Sequence, residues 1–131
     1  MKKILLALAL IPMLAYSQER ALGPYLQNAD TTSMVIMWET NLPTPPKVSY
    51  GLTPSLGSEV TGSSATSFLF ARVHTVKVSG LQPDTKYYYS VNFGNTYSDT
   101  LLFKTAPLPE AEASFRMVAF SDMQKDRAEE T

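Results

Sequence analysis

Among the side chains able to do chemistry, Asp122 stands out for what precedes it. Residues 115–120 form a near-continuous apolar run, the pattern of a strand buried on both faces of an α/β layer. A carboxylate at the C-terminal end of such a strand is held rigidly at an open crevice. The same Asp122, in Ser121-Asp122-Met123-Gln124, also reads as a helix N-cap, because 125–131 are charged and helix-favouring. His74 is the one histidine in the chain. It lies in an alternating stretch and shares a face with Val76 and Val78, so a satisfied, partly buried ring is expected rather than a catalyst. Tyr87, Tyr88 and Tyr89 invite a sugar-stacking reading. Parity points Tyr87 and Tyr89 inward and leaves only Tyr88 outside, too little for a stacking platform.

The remaining composition narrows the chemistry further. The chain has 131 residues, 44% hydrophobic and 18% charged, which suits one ordinary domain and not two full ones. Lys and Arg number 11 against 12 Asp and Glu, so no basic surface advertises nucleic acid. With Cys at 0, disulfides, thiolate catalysis and Cys-type zinc sites are all excluded. Length and composition therefore argue against a self-contained metalloenzyme or hydrolase.

Residues 1–17 read as a secretory signal peptide. Lys2 and Lys3 supply the positive start, 4–14 are apolar apart from Pro12, and Ala15 and Ser17 place small residues before a cleavage after Ser17. The apolar run is shorter than the ~20 residues that span a bilayer. No later stretch is both long and free of polar residues, so no membrane span is expected. Export to a periplasmic, cell-surface or extracellular destination follows, with the hydrophobic core as the source of stability.

The elements that must position these side chains are strands. In 33–39, Met34, Ile36 and Trp38 share one face, while Val35 and Met37 make the other face apolar too. That outward pair is either covered by a neighbouring domain or simply scattered on the surface. The prolines of 41–46 stop the ladder, since each lacks an N–H donor. Segments 47–50, 72–79, 86–93 and 97–105 alternate, and 58–67 reads as a weak edge strand and loop. Short alternating strands with frequent turns predict an all-β antiparallel sandwich over 22–105. A linker follows at 106–113, where Pro107 and Pro109 favour extended backbone.

The run Leu81-Gln82-Pro83-Asp84-Thr85-Lys86-Tyr87-Tyr88-Tyr89-Ser90-Val91 resembles the fibronectin type III pattern. In that pattern Leu81 plugs the core, Pro83 pre-sets a turn, and Tyr87 bonds back to the crossing loop. Trp38, Thr85 and Tyr89 complete the structural signature. Gly23-Pro24-Tyr25-Leu26-Gln27, Trp38, Val48-Ser49-Tyr50-Gly51, the stretch from His74 into this run, and Phe103-Lys104-Thr105 occur in order. Together they resemble the N-terminal domain of purple acid phosphatases and related bacterial metallophosphoesterases, an immunoglobulin-like sandwich that precedes a calcineurin-like catalytic domain.

The resemblance implies that 114–131 begin an α/β metallophosphoesterase domain, so that the chain is an N-terminal piece of a longer protein. It implies that Asp122 is the first metal ligand there. Gln124 stands where many members have His or Gly, and an amide oxygen is a weak ligand. The implied cofactor is a dinuclear centre of iron with zinc, manganese or a second iron, which activates water against a phosphate ester. Asp122 and Gln124 cannot hold it alone, so no turnover is expected of this chain. The implied partner is the catalytic domain in cis. A stand-alone exported adhesion, spacer or carbohydrate-binding module is the competing reading.

Overall fold

The computed structural model describes residues 22–41, 43–67, 71–112, 114 and 119. The expected signal peptide, the apolar run at 115–120 apart from Ala119, Asp122 and Gln124 lie outside the described residues. Among the described residues the strands are β1 (Leu22–Gln27), β2 (Ser33–Thr40), β3 (Lys47–Gly51), β4 (Ser58–Thr61), β5 (Ser63–Thr66), β6 (Arg72–Ser79), β7 (Lys86–Val91) and β8 (Leu101–Lys104). They form two antiparallel sheets of four strands, ordered β1-β2-β6-β5 and β4-β3-β7-β8. The expected all-β sandwich is the observed fold.

Period-two alternation builds the core directly. Met34, Ile36 and Trp38 of β2 and Val76 and Val78 of β6 are buried from one sheet. Val48 of β3, Tyr87, Tyr89 and Val91 of β7 and Phe103 of β8 meet them from the other. Each of these side chains faces inward because its neighbours along the strand face out. Phe103 stacks on Tyr87 and meets Tyr89 at a tilt of 52°, with ring centroids 5.7 Å apart in both pairs. Trp38 crosses the core, and its Nε1 donates to the Asn92 carbonyl at 3.1 Å. That bond satisfies the indole N–H at a position with no solvent exposure.

Two stretches differ from the sequence reading. The segment 58–67 is not one edge strand with a loop: it is β4 in one sheet and β5 in the other. The chain changes sheets at Gly62, whose N–H donates to the Pro46 carbonyl at 2.8 Å. A Cβ there would lie 2.0 Å from the Thr75 carbonyl oxygen, so only glycine permits the crossing so close to β6. The closing strand is also shorter than 97–105. Only Leu101–Lys104 pair as β8, and Tyr97 makes an isolated bridge with Asn92. Between them the Ser98 hydroxyl accepts from the Val91 N–H at 3.0 Å, a side-chain bond in place of a ladder bond.

Candidate functional site

Buried polar groups gather at opposite ends of the sandwich. The register of β2 with β6 runs from Ser33 opposite Ser79 at one end to Thr40 opposite Arg72 at the other.

The first end is where the chain leaves the sandwich. Leu81 is buried, and its N–H donates to the Thr32 carbonyl at 3.0 Å. Pro83 starts a tight turn, and Asp84 takes a left-handed conformation, φ 51°. Thr85 locks that turn by donating its hydroxyl to the Pro83 carbonyl at 2.7 Å. Tyr87 sends its ring into the core and its hydroxyl back to accept from the Gln82 N–H at 3.0 Å. This is the tyrosine-corner arrangement. Thr105 joins the same cluster. Its hydroxyl donates to the Gln82 carbonyl at 2.6 Å and accepts from the Thr85 N–H at 2.9 Å. Ala106 then donates to the Asp30 carbonyl at 3.1 Å and accepts from the Asp84 N–H at 3.0 Å. The exit of the chain is thus tied to the turns between β1 and β2 and between β6 and β7. Whatever follows Ala106 starts from a fixed point and direction.

The second end holds His74. The ring is fully buried and lies 5.0 Å from the Trp38 ring, tilted by 31°. Its Nε2 is 2.8 Å from the Thr40 hydroxyl and its Nδ1 is 2.7 Å from the Ser64 hydroxyl. Both nitrogens are therefore occupied, and the ring has no free lone pair for a metal or a substrate. Burial, and then the Arg72 guanidinium, hold the imidazole below its usual range. The ring is more deeply buried than the alternation predicts, because β5 covers the edge that an unswitched 58–67 would leave open.

The outward residues are modest. Val35 and Met37 are half-buried, and Tyr25 of β1 stands opposite Met37. Tyr88 is half-buried opposite the exposed Leu102. Among the described residues, no group of three or more His, Cys, Asp or Glu side chains could hold a metal ion. Also among them, no helix is long and apolar enough to cross a membrane. Sequence reasoning missed Thr105, Thr40 and Ser64. Thr105 could have been noticed in the Phe103-Lys104-Thr105 segment, and Thr40 by its parity with Trp38. Ser64 has no such signal, because its partner depends on the sheet switch at Gly62.

A two-sheet β-sandwich with a clamped exit defines the class of module. Residues 23–105 match the model of the purple acid phosphatase N-terminal domain, and the chain belongs to that family. An acid phosphatase of Aspergillus ficuum is 38% identical over 76 residues, which is 56% of this chain. The chain spans only 12% of the length of that curated relative. Among solved structures, the sensor domain of the anti-sigma factor RsgI4 in Pseudobacteroides cellulosolvens is similar in fold. It superposes with a TM-score of 0.54 at 18% identity, covering 75% of this chain and 99% of that one. A shorter form of the same domain gives 0.51 at 18% identity, covering 72% and 100%.

Proposed function

We propose that this chain is the N-terminal portion of a secreted metal-dependent phosphoesterase of the acid phosphatase type. Its sandwich is a non-catalytic brace beside a catalytic domain in the same polypeptide. The observation that carries the reading is the family match over 23–105, followed in sequence by Ser121-Asp122-Met123-Gln124. The likeness to a fungal acid phosphatase supports it. In this reading 1–17 are the signal peptide, 22–105 the sandwich, 106–113 the linker, and 114–131 the opening of the catalytic domain.

The described residues do not fit a dinuclear metal centre. No cluster of ligands exists among them, and both His74 nitrogens are engaged by hydroxyls. Asp122 is assigned as a metal ligand of the longer protein on the resemblance of its tetrapeptide alone, with Gln124 a weak companion. The sandwich contributes position. The bonds of Thr105 and Ala106 to both turns fix where the linker begins, so the brace transmits a defined orientation rather than a flexible tether.

The test is the coding sequence beyond Thr131, together with an assay. An in-frame continuation carrying Gly-Asp, Gly-Asn-His and Gly-His-x-His patterns is expected. The longer product should hydrolyse a phenyl phosphate ester with added iron, zinc or manganese, and Asp122→Ala should abolish that. The chain of 131 residues should not turn over the ester. A natural stop codon after Thr131, with no such patterns downstream, would sink the reading.

A further inference from the structure

The sandwich contains a buried histidine that no part of the phosphoesterase reading uses. His74 sits directly opposite Ser64 in the β5–β6 ladder. The strand that carries Ser64 is weakly held: β5 is four residues long, Ser-Ser-Ala-Thr, and every one of them is exposed. It has no large apolar side chain to anchor it in the core. Its side-chain tie inward is the Ser64 hydroxyl on Nδ1, at 2.7 Å. On the other side of the ring, Thr40 is itself buried within the central strand β2. The two walls of the His74 site therefore differ greatly in what it costs to move them. We propose that His74 is a proton-operated latch for edge strand β5, and that protonation of the ring releases Ser63–Thr66 from β6.

A neutral imidazole donates from one nitrogen and accepts at the other, so one of its two hydroxyl partners donates to it. A proton taken from solvent makes both nitrogens donors. The hydroxyl that was donating must then turn round, and its own proton needs a new acceptor. The ring also becomes a cation in a dry site. Arg72 lies on the same face of β6, two residues away, and repels it. Among the described residues, no carboxylate offsets the charge. Glu39 of β2 faces outward, as does Lys77 of β6, while β5 carries no charged residue. Glu59 of β4 is engaged with Lys47 at 2.9 Å on the outer face of the other sheet. The inner face across the core offers the phenols of Tyr50, Tyr87 and Tyr89. Water reaches the ring most cheaply by lifting β5 between its two tied ends, the Gly62 N–H on the Pro46 carbonyl and the Ser67 N–H on the Ala71 carbonyl at 2.7 Å.

The direction of the pH effect follows from the lowered proton affinity in the closed state. Between that lowered value and about 6.5, the opened state binds more protons than the closed one. Closure is therefore fully favoured above about pH 6.5 and weakens as pH falls. One proton limits the change to about tenfold per pH unit.

Amide hydrogen exchange on the chain, corrected for intrinsic chemistry, reads this directly from about pH 7 down to about pH 5. Protection of the β5 amides and their β6 partners should fall by up to about tenfold per pH unit below about 6.5. Protection in β3 and β7 should hold. His74→Gln should flatten the pH dependence in β5. Should that variant fail to fold, the His74 ring titration by NMR serves instead, and its midpoint should lie below about 6.5, toward the acid end of the range over which β5 protection falls. Ser64→Ala should leave β5 weakly protected at every pH. The latch is overturned by β5 protection that is flat with pH in the unaltered chain, by an equal slope in His74→Gln, or by a ring that titrates without any change in β5.

Discussion

The two ends of the sandwich bury polar groups in different ways. At the exit end, Tyr87, Thr85 and Thr105 bond to backbone N–H and carbonyl groups of adjoining turns. None of those partners changes charge near neutral pH. At the other end, His74 bonds to two hydroxyls, one buried in β2 and one on an exposed edge strand. Both networks are satisfied, yet only the second contains a side chain whose ordinary charge change falls near neutral pH, here held lower by burial. Hydrogen-bond satisfaction sets how firmly an end is held, and the chemistry of the partner sets whether acid can loosen it.

Substitutions at the two ends should separate them. The largest effect is expected from Trp38→Ala, which removes the side chain touching both the His74 ring and the opposite sheet. A loss of about 3–5 kcal/mol should appear in urea unfolding and should weaken both ends together. Gly62→Ala places a methyl against the β6 backbone, where the Thr75 carbonyl cannot retreat without breaking the ladder. It should cost about 2 kcal/mol by the same measurement, with lost exchange protection centred on β5 and not on the exit turns. Thr105→Val strands the Gln82 carbonyl and the Thr85 N–H, and should cost roughly 1–2 kcal/mol, equally at pH 7 and pH 5.

Tyr87→Phe keeps the ring and loses the bond from Gln82 N–H, for about 1 kcal/mol, again without pH dependence. A pH-dependent deficit in either exit variant would show that the two ends are coupled. Lys104→Ala removes an exposed pair with Asp84 and should leave the melting temperature unchanged, because solvent screens such pairs.

Much of the exit end was legible in the residue order. The Leu81, Pro83, Thr85 and Tyr87 spacing identifies the corner, since each residue acts on backbone within a few positions of itself. Thr105 was less visible, because its partners lie 20 and 23 residues away. The His74 end was legible only in part. Alternation showed that the ring turns inward with Val76 and Val78. It did not show Ser64, because the small polar stretch 58–67 carries no apolar rhythm to reveal that it divides between two sheets. The closing strand is shorter than alternation predicts for a related reason. Ser98 diverts its side chain to the backbone and interrupts an otherwise alternating run.

Sequence by itself determined the class of fold, the composition of the core and the corner at Tyr87. These depend on period-two alternation and on contacts between near neighbours, and both are written along the chain. It also carried the family resemblance on which the phosphoesterase reading and Asp122 rest. Tertiary structure alone decided the sheet switch at Gly62, the indole bond from Trp38 to Asn92 and the burial of His74 beneath β5. Those depend on which distant strands meet, and a glycine, a carbonyl and a serine hydroxyl bear no mark of their partners until the two sheets close on one another.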